Sequence, residues 1–557
     1  MYATIIQKRS KYVLSIMNLF KKHWPLVTVL IIFWCALLTL LDASLEKTSG
    51  HLIYALDDPY IHMAVAKNFV QHGVWGVTKY RFSSAVSSLS WPLLLAACYA
   101  VFGVNELAPF ILNCIFVHVL IWFAYVIMKK NGFTPFFSFV ILLFLLFVTP
   151  LPSLIFGGQE HILHTLCTMI FAYYVSCLLC RKKQAYGVFL FFQLGILSCL
   201  VTMARYEGIF IILAAAFLLS ARKKFMSAFL LVAISLLPLA IYGFIAVKQG
   251  AYFLPNSIIL KSKIFQLYQH NLKNLISFDY DNIKILFSLF LSPLVMAAII
   301  TGILLKKKEK SFWHPAIVMS TLFIMASLPH MFFVGRGHGF SRYEAYLVAF
   351  GIVSISFTLH SFLPVLRMRR SQPSFLSMRI FSLIAIVLLS GLLMVRAVCY
   401  FLAAPLATKN VYDQQYHMGL FLKKYYQGQT VVLNDIGLVN YLADIRCLDL
   451  YGLMDGEIAN AKLSAVCDTQ YVYNFAKVNQ AKVAIVYDLW VRWACGAVPP
   501  QWLLLGQWRI KRNVICGDEV VSLYAVDPSE RKRLVTCLRD FSNQLPYDVK
   551  QSGEYRQ

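Results

Sequence analysis

An uncharged run from His23 to Leu41, bounded by Lys21 and Lys22 on one side and Asp42 on the other, spans 19 residues. As a helix it would be about 28 Å long, close to the thickness of a bilayer's hydrocarbon core. Runs of the same kind recur along the chain and no small-residue cleavage site follows this one, so it reads as a retained span and not a secretion signal. Composition agrees with that reading. A chain of 557 residues that is 59% hydrophobic and 14% charged, with a mean hydropathy of +0.65, lies outside the range of soluble globular proteins. The expected fold class is a polytopic α-helical membrane protein.

The formal charge of +25 does not imply a nucleic-acid partner, because of where it sits. Residues 403–557 hold 17 Lys+Arg against 15 Asp+Glu, while the first 402 hold 34 against 11. The basic excess falls in clusters at the ends of apolar runs: Lys21–Lys22, Lys129–Lys130, Arg181–Lys183, Arg222–Lys224, Lys306–Lys310 and Arg367–Arg370. Placing these inside fixes the N-terminus inside and gives about 11 spans, near 23–41, 108–128, 133–150, 162–180, 186–203, 206–221, 225–247, 285–305, 313–333, 345–365 and 377–401. The apolar segment Trp91 to Phe102 is too short to cross and reads as a re-entrant or surface-lying helix. In this topology ten of the 11 acidic residues before position 403 reach the exterior face, and only Glu309 lies inside.

Two parts follow from this: a membrane module, 1–402, with a first exterior loop at 42–107, and an exterior C-terminal α/β domain, 403–557. In the latter, the β-branched runs 430–435, 446–452 and 482–488 alternate with helix-like stretches near 413–426 and 470–480, which predicts a short, mostly parallel sheet followed by a hairpin at 508–526. Five of the 13 cysteines lie here, and Cys495 and Cys516 are placed to pair in an oxidising compartment.

Asp57 and Asp58 open an amphipathic stretch just beyond the first span. Such a pair reads either as a solvated loop or helix cap, since Asp before Pro59 suits a helix start, or as a site that binds a cation or moves a proton. The same face receives Lys261, Lys263 and Arg342 as candidates for an anionic group; Arg342 at the mouth of a span needs a partner, either an anion or Glu344. Glu160 is either a further site carboxylate or an acid at a helix N-terminus, and Arg205 and Glu207 are placed to pair locally. Asn434, Asp435 and Gly437 end a strand, as a ligand site or as a plain turn. His161, His164, His330 and His338 lack zinc spacing, and no Walker loop or GxGxxG occurs, so no nucleotide or redox cofactor is expected.

An acidic pair opening a juxtamembrane helix behind a single span resembles the GT-C membrane glycosyltransferases. More narrowly, DDPYIHMAVAKNFVQHGVWG and the following SSAVSSLSWPLLLA are similar to the bacterial arabinofuranosyltransferase-like branch, as are FGGQEHILH (156–164), ARYEGIF (204–210), LPNSIILKSK (254–263), SRYEAYLVAF (341–350) and 433–459. His62 and Lys67 depart from that branch, which tends to an aromatic and an arginine there. The resemblance implies an inverting enzyme of the bacterial inner membrane. It would take sugar from a polyprenyl-phosphate donor to a glycan or glycolipid acceptor outside the cytoplasm. Asp57 would be the catalytic base, and Asp58 a second acid or a ligand, with Asp57, of a divalent cation such as magnesium or manganese. Lys261, Lys263 and Arg342 would bind the lipid phosphate, with Glu160, Arg205, Glu207 and Glu344 around them. A transporter of lipid-linked sugars and an inactive glycosyltransferase-like scaffold are the alternatives.

Overall fold

The computed structural model describes residues 2–180, 188–261, 311–334, 342–368 and 373–557, with isolated positions between 295 and 306. Six of the described helices are long and apolar enough to cross a membrane: Lys21–Lys47, Leu107–Lys130, Pro135–Phe156, His161–Cys180, Phe225–Lys248 and Pro315–Phe333. The protein is a multi-pass membrane protein. Helices also occupy Val188–Ala204, Ile209–Ala221, Ala345–Met368 and Pro373–Val411, where apolar runs predict them. The predicted span 285–305 lies mostly outside the described residues.

Two details depart from a simple run of hairpins. Near Pro150 the third apolar segment breaks into Pro135–Val148 and Leu151–Phe156, and the chain then turns through Gly157 and Gly158 into the helix His161–Cys180. Gly158 has φ +64°, and a Cβ there would fall 2.6 Å from the ring of Tyr54, so only glycine fits a turn packed this tightly onto the first loop. The segment expected at Trp91 to Phe102 is a helix, Ser90–Phe102. Its start is tied down by the Trp91 indole, which donates to the Gly158 carbonyl at 3.2 Å.

The C-terminal part is built on a six-stranded mixed sheet in the order β2-β1-β3-β5-β4-β6. Its strands are β1 (Thr430–Leu433), β2 (Arg446–Asp449), β3 (Val483–Val486), β4 (Leu503–Arg509), β5 (Val520–Ala525) and β6 (Lys550–Ser552). β2, β1 and β3 are parallel, as their β-branched, doubly buried sequences predict, and β5, β4 and β6 are antiparallel. The predicted hairpin is β4–β5, with its first strand starting at Leu503 and not at Trp508.

The expected Cys495–Cys516 bridge is not formed. Cys495 is bonded to Cys467, with Cα atoms 4.7 Å apart, which ties the entry of helix Thr469–Val478 to the end of helix Asp488–Cys495. Cys516 instead points its thiol at the Gln415 side chain, 3.5 Å away.

The sheet domain sits on the first loop of the membrane module. Lys67 Nζ donates to the Tyr441 carbonyl at 2.6 Å, Arg81 pairs with Asp455 at 2.6 Å, and Asn256 donates to the Gly452 carbonyl at 3.1 Å. The carboxyl ends of β1 and β2, where ligands gather in parallel sheets, therefore face Asp57 and Asp58.

Candidate active site

The helix Asp58–His72 begins with Asp58 and Pro59, the proline supplying the φ of a first helical turn without an amide to satisfy. Asp57 occupies the capping position but does not cap this helix. Its carboxylate reaches across to the C-terminal domain, accepting from the Gly437 amide at 2.5 Å and the Leu438 amide at 2.7 Å. Gly437 makes this approach possible: a Cβ there would lie 2.2 Å from the Asp57 carbonyl oxygen and 2.7 Å from Oδ2. The Asp57 carboxyl also faces the side chain of Asp435, whose Oδ2 accepts from the Gln415 amide at 2.8 Å. Burial raises the Asp57 pKa, opposed by Asp435 and by its hydrogen bonds to Leu438 and Gly437.

Asp58 points the other way. Its Oδ1 takes Lys261 Nζ at 2.9 Å and its Oδ2 takes the Arg342 guanidinium at 2.5 Å. Burial alone would raise its pKa, but the two cations hold it well below the usual carboxylate range. Arg342 also donates to Gln159 Oε1 at 2.6 Å and to the Tyr343 hydroxyl at 3.1 Å. The side chains of Asp58, Lys261 and Arg342 are 22%, 30% and 10% exposed, so the cluster is sunk but open. Two cations against one carboxylate leave a net positive charge there.

A third group lies buried beside this one. Glu160 pairs with Arg205 at 2.6 Å, and Arg205 grips Glu207 through two bonds of 2.7 and 3.1 Å. Ser87 Oγ accepts from Arg205 at 3.2 Å and stands 3.3 Å from His62 Nε2, which is 3.7 Å from Glu160. The Tyr343 ring stacks against both Arg205 and Arg342, at 5.1 and 4.9 Å, and so joins the buried group to the open one.

The predicted Lys261, Arg342 and Asp58 thus meet, and Glu160, Arg205 and Glu207 form one network behind them. Lys263 lies outside the described residues. Arg342 does not pair with Glu344, which faces the Arg396 guanidinium at 3.3 Å; Arg342 is drawn instead to the more open Asp58. Gln415, Gln159, Tyr343 and Ser87 were not singled out as site residues, and Asp435 was read as either a ligand site or a plain turn. Asp435 alone carried a signal, its place at the end of a parallel strand.

A divalent cation held by Asp57 and Asp58 does not fit this arrangement. Asp57 turns to two amides of the sheet domain and Asp58 to Lys261 and Arg342, so the adjacent carboxylates point apart and do not converge on one ion. Among the described residues, no group of three or more His, Cys, Asp or Glu is arranged to hold a metal ion.

A family profile described as a domain of unknown function, DUF8728, matches residues 409–524. No curated protein matches the chain. Among solved structures, ArnT from Cupriavidus metallidurans bound to undecaprenyl phosphate is similar in outline, at 12% identity and a TM-score of 0.46, with 90% of this chain and 98% of that chain covered. The apo state of the same protein gives 13% identity and a TM-score of 0.47 over the same shares. At these values the likeness is one of general outline, and the side chains described above carry the functional reading.

Proposed function

We propose that the chain is a membrane glycosyltransferase that moves a sugar from a polyprenyl-phosphate donor to a cell-envelope glycan or lipid acceptor on the exterior face of the inner membrane, with inversion. The observation that carries this is the division of labour between neighbouring acids. Asp58 organises Lys261 and Arg342 into a half-open cationic seat, while Asp57, held without a basic partner among the described residues, turns toward a separate acidic corner. A phosphate leaving group suits the first place and a base suits the second.

In this reading the donor phosphate lies against Lys261 and Arg342, whose fork and ammonium neutralise charge as the bond to the anomeric carbon breaks. The acceptor hydroxyl loses its proton to Asp57 as its oxygen attacks from the opposite side. Asp58 is a poor base, because two cations favour its charged form. Charge neutralisation falls to these side chains, and no step is assigned to a divalent cation. The Glu160, Arg205 and Glu207 network fixes Tyr343 and the turn that carries Gln159, and through them Arg342.

The test is mass spectrometry of envelope glycans and polyprenyl lipids from cells with the native chain, without it, and with Asp57→Asn. Loss of one sugar from a glycan, with accumulation of its lipid-linked donor, is expected both without the chain and in the variant, at a membrane level of variant protein equal to native. Transfer lowered by about 10²-fold or more is the expected size for loss of a general base. Full transfer by the variant would remove Asp57 from the chemistry. Purified chain that moves lipid-linked sugar across liposomes without cleaving it would make this a transporter.

A further inference from the structure

We propose that Asp435, contributed by the C-terminal domain, is the proton-holding partner of Asp57, so that the base of the transfer site is a two-carboxyl unit assembled across the contact between the sheet domain and the membrane module. The inference rests on the transferase reading and deepens it.

Three observations place the unit. The loop that follows β1 closes on Asp57 with two amides, at 2.5 Å from Gly437 and 2.7 Å from Leu438. Asp435 stands two residues before Gly437 on that same loop, and its carboxyl faces that of Asp57 closely enough for each to shift the other. Both residues are only partly buried, as are Asp58 and Lys261. Two ionised carboxylates that face each other repel, so the pair is favoured with one proton on it.

The surroundings decide which acid carries it. Asp57 receives two amide donors, which favour its charged form, while Asp435 receives only the Gln415 amide. The other groups that face the pair are Asp58, already neutralised by Lys261 and Arg342, and the neutral Tyr60, Tyr487 and Cys516. Burial pushes the Asp435 carboxyl well above the usual carboxylate range, and the charge of Asp57 pushes it further the same way. Asp435 therefore holds the proton and donates it in a hydrogen bond to Asp57.

This gives Asp435 a task as a positioning residue. Its hydrogen bond, with the two amides, fixes the plane of the Asp57 carboxylate and leaves lone pairs free for an incoming hydroxyl. In the transfer step the acceptor O–H proton passes to Asp57, the acceptor oxygen bonds to the anomeric carbon, and the carbon–oxygen bond to phosphate breaks with its electron pair on the phosphate. The pair then holds two protons and returns one to water.

The test uses the full chain in nanodiscs with two readouts. Infrared difference spectra taken across a pH titration report carboxylic acids. A carboxylic-acid signal lost in Asp435→Asn, moved to lower pH in Asp57→Asn and absent from the double variant is the expected result. The second readout is release of polyprenyl phosphate from a total lipid extract of the producing cells. Asp435→Asn keeps a hydrogen-bond donor and removes the second acid. It should therefore retain transfer within about tenfold and keep the acid limb of the pH profile in place, while losing the alkaline limb that ionisation of Asp435 gives the native chain. Asp435→Ala should lose about 10²-fold or more.

An alkaline limb kept in Asp435→Asn, unchanged transfer in Asp435→Ala, or transfer abolished by chelation and restored by magnesium would overturn the role of Asp435 alone. Absence of any transfer by the native chain, with the shared-proton signal intact, would overturn the transferase reading and, with it, any catalytic meaning of the pair.

Discussion

Arg342 is the residue on which the open part of the site converges. One arm of its guanidinium holds Asp58 at 2.5 Å and the other holds Gln159 at 2.6 Å, while its face lies on Tyr343. A lysine carries the same charge but has a single nitrogen, and it cannot span Asp58 and Gln159 together. Arg342→Lys is therefore expected to lower transfer by about ten- to a hundredfold, the range for losing one hydrogen bond to a charged group, chiefly as a raised KM for the lipid donor. Unaltered KM would show that Arg342 only holds the fold. Arg342 was legible in the sequence because a charge at the mouth of a span is expensive and must be matched. Its partner was not, since the sequence offered an anionic ligand or Glu344; side-chain geometry alone shows Asp58. Asp435 was harder still. Asp57 and the amide it grips are 380 positions apart, and nothing in the run VVLND says what lies opposite it.

At the scale of elements, periodicity and hydropathy are local properties, and the elements they govern formed where expected. The helices of the membrane module and the parallel strands β1, β2 and β3 are of this kind. What escaped were features set by contact between elements. The long helix Pro373–Val411 does not stop at the sheet domain but passes through a widened π turn, Tyr412–Tyr416, into the helix His417–Tyr425. That turn carries Gln414 and Gln415, which meet Tyr487 at 3.0 Å each, and Gln415 also holds Asp435. A helix that widens for one turn commonly does so at a working site. The disulfide is a second case, because cysteine spacing cannot fix connectivity. Cys467 and Cys495 enclose 28 positions, and closing a loop of that size stabilises a fold by about 3 kcal/mol. The double variant Cys467→Ser, Cys495→Ser is expected to melt several degrees lower, as about 3 kcal/mol does in a domain of this size. It should also lose the mobility shift that reductant causes in the native chain, whereas Cys516→Ser should change neither.

At the scale of the whole molecule the open question is which face of the membrane carries the site, and three independent features point to one answer. Basic clusters such as Lys129–Lys130 and Arg222–Lys224 close the helices Leu107–Lys130 and Ile209–Ala221 at one end, as inside-facing loops do. The acids Asp57, Asp58, Glu160 and Glu207 gather at the other end, where the sheet domain sits. That same domain holds a disulfide, a bond that persists in oxidising compartments. The expected topology therefore has the N-terminus and Lys129–Lys130 in the cytoplasm and residues 412–557 outside. Fusions to a reporter pair, one active only in the cytoplasm and one only beyond the membrane, decide it. The cytoplasmic reporter should be active after Lys130 and silent after Gln557, and the exterior reporter should show the reverse. A cytoplasmic C-terminus would put Asp57, Asp435 and the Lys261–Arg342 seat on the inner face, where the proposed transfer to envelope acceptors outside the cell membrane cannot occur, and the assignment of donor and acceptor would fall with it.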